Sequence, residues 1–256
     1  MTRLIAKKHL GQHFLQDKNI AQKIVNAISQ PPQTLLEIGP GTGILTGLLV
    51  RQYPGLYVVE VDPSLAAHLQ QAYPSLQERI IVADFLQLPL AQLTPGPLTL
   101  IGNLPYNISS PIFFKVLAHR QQIQEVVAMI QHEVAARLVA PPGSKTYGLL
   151  SVLLQAFYKL EYLFPVGPQV FSPPPQVKSA VIRLQRNKTA QLDCDEALFF
   201  RVVKAGFQQR RKTLRNALKA LLPLTPRVDV PFLEQRAERL GVADFVALTR
   251  AISLAN

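Results

Sequence analysis

Short apolar runs alternate with helical patterns, and that alternation limits the fold more than any other feature of this chain. The runs are Thr34–Ile38, Leu56–Val61, Arg79–Ala83, Leu98–Ile101 and Val126–Ile130. Helical patterns lie near residues 44–52, 63–72 and 111–119, and two more, near 132–139 and 147–156, follow the fifth run. Strands joined through helices form βαβ units, which dictates a mostly parallel sheet with helices on both faces. Two further strands, Lys159–Phe164 and Ala180–Leu184, have no helix between them, so one is expected to run antiparallel. Upstream, residues 17–30 read as a helix. Asp17 is its N-cap, and Ile20, Ile24 and Ile28 recur along one face. After about residue 186 the pattern turns helical: Phe199–Leu222, Glu234–Leu240 and Phe245–Leu254. The expected organisation is an α/β domain over 1–185 with a seven-stranded Rossmann-like sheet, and a small all-helical domain over 186–256.

The 256 residues are 48% apolar, enough for a packed core. No stretch is long and charge-free enough to cross a membrane, and the amino terminus lacks a signal-peptide apolar core, so a soluble cytoplasmic chain is expected. Cys194 is the only cysteine, which excludes an internal disulfide and a cysteine-rich metal site. His9 and His13 are four apart without a third ligand, so no metal is expected. The net charge of +11 would draw a polyanion.

Glu37-Ile38-Gly39-Pro40-Gly41-Thr42-Gly43 follows the first strand and opens a helix. Glycines there, Gly39 and Gly41 among them, let the backbone turn sharply and approach a ligand. The spacing is not the Gly-x-Gly-x-x-Gly of a dinucleotide site, and Pro40 removes a donor that a pyrophosphate would use. Glu60 ends the second strand, where a carboxylate can accept hydrogen bonds from both ribose hydroxyls. Asp84 follows the third strand, placed for an adenine amino group, and Phe85 can flank the ring. A glycine turn with acids at three successive strand ends points to S-adenosylmethionine. Upstream, His13 and the Leu15 backbone can reach the methionine end of that cofactor. Asn103-Leu104-Pro105-Tyr106 closes the fourth strand. The Asn103 side-chain oxygen and the Leu104 carbonyl, aimed by Pro105, can accept hydrogen bonds from both N6 hydrogens of an adenine. That localises the nitrogen lone pair, while Tyr106 stacks on a flipped base. Asn and Pro are also ordinary turn residues.

Five motifs occur in order: Lys8–Leu15, Glu37–Gly43, Asn103–Ser109, Phe171–Pro175 and Gln208–Leu214. Together they resemble the small-subunit ribosomal RNA adenine N6,N6-dimethyltransferases over nearly the whole chain. The resemblance implies a class I methyltransferase fold, which seven strands suit better than a dehydrogenase sheet. It implies transfer of four methyls from S-adenosylmethionine to N6 of two adjacent adenines near the 3′ end of small-subunit rRNA, in ribosome biogenesis. By matching positions, cofactor contacts fall on His13, Leu15, Gly39, Glu60, Asp84 and Asn103. Phe171 is the candidate to cover the second face of the base, and reads equally as a core or loop anchor, as aromatics in proline-rich loops often are. The family often has Asn where His13 stands, and an acid where Lys178 stands.

In the Phe199–Leu222 pattern, Val203, Phe207, Leu214, Leu218 and Leu221 form an apolar stripe. Lys204, Arg211, Lys212, Arg215 and Lys219 occupy the remainder and are the candidate rRNA contacts. The expected partner is the small ribosomal subunit, as an assembly intermediate, met by a monomer. A sister enzyme acting on large-subunit rRNA shares fold and chemistry, and a non-catalytic assembly factor on the same fold is the reading from another class. An NAD-dependent dehydrogenase is disfavoured by the glycine spacing, and a DNA adenine methyltransferase by the lack of a target-recognition domain.

Overall fold

The structure, a computed structural model, describes residues 6–7, 10–223 and 228–255. Lys8 and His9 of the first motif, and residues 1–5 of the amino-terminal reading, lie outside the described residues. The elements run β1 (Phe14–Leu15), α1 (Lys18–Val25), β2 (Thr34–Ile38), α2 (Thr46–Gln52), β3 (Leu56–Glu60), α3 (Pro63–Ala72), β4 (Ile80–Val82), β5 (Leu98–Asn103), α4 (Ser109–Ala118), β6 (Ile123–Gln131), α5 (His132–Val139), α6 (Leu149–Phe157), β7 (Tyr158–Val166), β8 (Phe171–Ser172), β9 (Ser179–Arg186), α7 (Glu196–Gln208), α8 (Leu214–Ala217) and α9 (Val242–Ala255).

Seven strands form one sheet in the order β4-β3-β2-β5-β6-β9-β7. The first five are parallel, and β9 runs antiparallel to β6. Strands of a sheet covered on both faces read as continuous apolar runs. Accordingly β2 is buried throughout, and β5 is buried from Leu98 to Gly102. Gly102 has a second reason to be glycine: a Cβ there would strike the Ile38 carbonyl oxygen of the neighbouring strand. The strands β1 and β8 form a separate antiparallel pair, Phe14 opposite Ser172 and Leu15 opposite Phe171. That pairing ties the segment before α1 to the loop before β9.

The chain packs as two compact units, one holding residues up to Ala135 with Glu161–Arg186, the other Ala136–Leu160 with Asn187–Asn256. The sequence expectation of one boundary after residue 185 assigns the excursion 136–160 to the first unit, but its contacts group it with the second. Within the second unit, α6, α7 and α9 bury Phe157, Phe199 and Phe245, and the Phe207 ring stands 6.1 Å from both Tyr147 and Phe245.

Three helical expectations differ from the structure. α1 stops at Val25 because the Ser29 N–H is taken by the Glu125 carboxylate at 3.1 Å, just ahead of two prolines. Its N-cap is as expected, with Asp17 Oδ1 accepting from the Asn19 and Ile20 N–H groups. The single helix expected over 199–222 is broken at Gln209–Thr213. There the N–H groups of Leu214 and Arg215 donate to the carbonyls of Gln235 and Leu233, at 2.7 and 2.8 Å. The break turns Leu214 back onto Gly206, where a Cβ would lie 3.2 Å from the leucine methyl. The helix expected over 234–240 is only a 3₁₀ turn, Ala237–Arg239, and Glu234 instead pairs with Arg215 at 2.6 Å.

Candidate active site

A cleft opens where β2, β3, β4 and β5 end, the side on which open α/β sheets hold ligands. Its cavity volume is about 220 Å³. Gly39 and Gly41 line it with φ of +63° and +57°, a region that side chains with a Cβ avoid. At Gly41 a Cβ would also come within 2.9 Å of the Phe14 ring, so glycine is what lets the upstream segment pass over the turn.

Two carboxylates lie beneath the turn. Glu60 is 3% exposed and accepts from the Asp62 N–H at 2.9 Å and the Gly41 N–H at 3.3 Å. Burial pushes its carboxyl above the ordinary range, and those backbone bonds oppose the push. Glu37 is buried deeper, at 1% exposure. Its Oε2 accepts from the Thr46 hydroxyl at 2.7 Å, while Oε1 is buried without a partner among the described residues. Burial first, then the charge of Glu60, raises its carboxyl to about 8 against the Thr46 bonds. Both acids line the cleft.

Asp84 and Phe85 sit at the end of β4. Asp84 is exposed, its Oδ1 closing a turn onto the Leu86 N–H at 2.8 Å, and Phe85 is 4% exposed. Sequence reasoning missed what holds them. Lys115 of α4 donates to the carbonyls of Phe85, Leu86 and Leu88 at 2.6, 3.1 and 2.5 Å, and its ammonium lies 4.9 Å from the Phe85 ring centre. Burial lowers its pKa, opposed by the Asp84 charge. The only signal in the sequence is one lysine inside the apolar stretch Ile112–Leu117.

On the opposite wall, Asn103 ends β5 opposite Met129 of β6, and the Leu104 N–H donates to the Met129 carbonyl at 3.0 Å. The Asn103 amide nitrogen donates to the His13 carbonyl at 2.8 Å, which leaves its Oδ1 as an acceptor. Pro105 leads into a 3₁₀ turn that begins at Tyr106. The His13 ring stacks on Tyr106, centroids 5.4 Å apart and planes 29° apart, and both line the cleft with Leu15.

The structure thus brings Asn103, Leu104, Pro105 and Tyr106 into one cleft with His13, Leu15, Gly39, Gly41, Glu60, Asp84 and Phe85. Phe171 is a correction. It is 4% exposed, packs in the core with Leu15, Val166 and Val181, and does not line the cleft. Its pairing in β8 opposite Leu15 turns it inward, so it is not presented as a cover for a base. Lys204, Arg211, Lys212, Arg215 and Lys219 are all exposed, but Lys204 lies on α7, Arg211 and Lys212 lie within the break, Arg215 lies on α8 and Lys219 follows it. Arg215 is also engaged by Glu234. Among the described residues no cluster of three potential metal ligands occurs, and no helix is long and apolar enough to cross a membrane.

Comparison with known proteins bears on this cleft. The family model "Ribosomal RNA adenine dimethylase" matches residues 3–234. A curated protein of Cytophaga hutchinsonii, "Ribosomal RNA small subunit methyltransferase A", is 51% identical and covers 99% of each chain. Among solved structures, a dimethyladenosine transferase from Plasmodium falciparum aligns with a TM-score of 0.78 at 23% identity, over 92% of this chain and 96% of that one. The 23S rRNA methyltransferase ErmE aligns with a TM-score of 0.71 at 25% identity, over 94% and 99%.

Proposed function

This chain belongs to the ribosomal RNA adenine dimethylase family, and from that premise we propose that it dimethylates N6 of two adjacent adenines near the 3′ end of small-subunit rRNA, with S-adenosylmethionine as methyl donor. The observation that carries the reading is the Asn103 amide, locked by the His13 carbonyl so that its Oδ1 stays free to accept. The 51% identity to a small-subunit methyltransferase, against 25% to a 23S rRNA enzyme, favours the small-subunit substrate over the large.

The residues of the cleft fit the donor. Glu60 has lone pairs beyond its two backbone bonds for vicinal hydroxyls, and the orphaned Glu37 Oε1 suits a cationic amino group. When bound, S-adenosylmethionine supplies a methyl on a positively charged sulfur that keeps the C–S bonding pair as the new N–C bond forms. Asn103 Oδ1 and the Leu104 carbonyl accept from N6 and hold its lone pair toward the methyl. Tyr106 holds the flipped base by stacking, so the chain's contribution is chiefly position. N6 becomes acidic as the new bond forms and passes its proton to water, which requires no dedicated base.

Supporting the rRNA reading, Arg211, Lys212 and Lys219 are exposed in a chain of net charge +11. In the same reading the chain acts in the cytoplasm, as a monomer, on a partly assembled small subunit. Asn103→Ala tests the chemistry: transfer falls by about 10²-fold or more while the fold persists. Near-normal turnover by that variant refutes the assignment.

A further inference from the structure

We propose that Ser179 is a positioning residue that sets the angle of the Tyr106 ring, with His13 backing the ring on one face. This rests on the reading of the cleft as an adenine N6 methylation site.

The Tyr106 hydroxyl and Ser179 Oγ stand 2.5 Å apart, at the short end for two hydroxyls. Ser179 is fully buried and opens β9, opposite Gln131 in the ladder with β6. β6 also pairs with β5, where Met129 stands opposite Asn103. The far end of the Tyr106 ring is therefore anchored to the same sheet that carries Asn103. The ring and the amide are held in one frame, although Tyr106 itself sits on a turn.

The second anchor is His13. Its ring stacks on Tyr106, and its Nδ1 is 2.9 Å from the Pro173 carbonyl. Both anchors thus lead to the Pro173–Ser179 connection between β8 and β9. This gives the proline-rich motif a task that does not need Phe171, which is buried in the core. The two rings are already in contact, so no base enters between them. The adenine stacks on the side of Tyr106 away from His13. A ring free to turn about its χ angles would offer that face over a range of tilts, and small misplacements of a reacting atom cost rate steeply. The second methylation suffers more than the first, because a methylated N6 has one hydrogen fewer to place it.

Ser179→Ala and Tyr106→Phe remove the same hydrogen bond from opposite ends, and the phenylalanine variant leaves the buried Ser179 site filled. Both variants and the double variant are assayed on undermethylated small subunits for kcat, cofactor KM and the ratio of mono- to dimethyladenine at equal methyl incorporation. Each single variant lowers kcat about tenfold, equivalent to about 1.4 kcal/mol. The double variant is no slower than either, cofactor KM is unchanged, and monomethyladenine accumulates. A mere loss of folded protein would leave that ratio unmoved. Wild-type kcat in Ser179→Ala overturns the proposal, as does a multiplicative double variant, or loss in Ser179→Ala alone with Tyr106→Phe at full rate. A wild-type protein inactive on small subunits overturns the underlying reading and this role with it, whereas an active wild type with full-rate variants overturns this role alone.

Discussion

Replacing Glu37 with Gln should change how stability depends on pH. The Glu37 carboxyl moves from 4.5 in the open chain to about 8 in the fold, mainly through burial. A group with a raised folded pKa holds its proton more tightly in the native state, so between those values the unfolded chain binds fewer protons. Its stabilising contribution is complete below about pH 4.5 and is lost as pH rises through about 8. At about 1.36 kcal/mol per pH unit, that span sets a ceiling of about 5 kcal/mol. Water entry and side-chain relaxation reduce such penalties, so about 2 kcal/mol is the working figure. Gln keeps an oxygen for the Thr46 hydroxyl and cannot ionise. Thermal unfolding of both proteins without ligand, at about pH 4 and about pH 8.5, isolates the effect. Wild type should lose about 4–8 °C of Tm relative to Glu37→Gln between the two conditions. Equal pH dependence would refute the claim that a buried, half-partnered carboxyl lies beneath the glycine turn.

Lys115→Met keeps the apolar stem but removes three bonds to the 85–88 loop, so cofactor KM should rise with kcat little changed and stability should fall by about 1–3 kcal/mol, read by steady-state kinetics and thermal unfolding. Gly102→Ala should destabilise by about 2 kcal/mol or more in denaturant titration, because its Cβ meets a strand carbonyl. Reversing exposed Arg211 and Lys212 to Glu should weaken rRNA binding and reduce the slope of log K against log salt by about 2, and an unchanged slope removes this surface from the interface.

The sheet was legible because a strand buried on both faces has to be apolar along its length. Leu98–Gly102 is such a strand, and its neighbours follow suit. The glycine turn was legible because Gly39 and Gly41 adopt angles other residues avoid. Features set by distant partners were not. α1 ends where Glu125, remote in sequence, captures the Ser29 N–H. The 199–222 pattern keeps helical periodicity, yet carbonyls of residues 233 and 235 satisfy the N–H groups at the break. In the sequence Phe171 reads equally as a base cover or as a core anchor of the proline-rich loop, and only its pairing with Leu15, distant in the chain, turns it into the core. Lys115 and Ser179 carry no local motif, since each acts through a contact with residues far away in the chain.

The central claim is tested most directly by incubating the purified protein with methyl-labelled S-adenosylmethionine and undermethylated small ribosomal subunits, beside large subunits, and mapping the labelled base. The account predicts N6,N6-dimethyladenine at two adjacent positions near the 3′ end of small-subunit rRNA. Label in large-subunit rRNA, or no label from a protein that binds the cofactor, would contradict it.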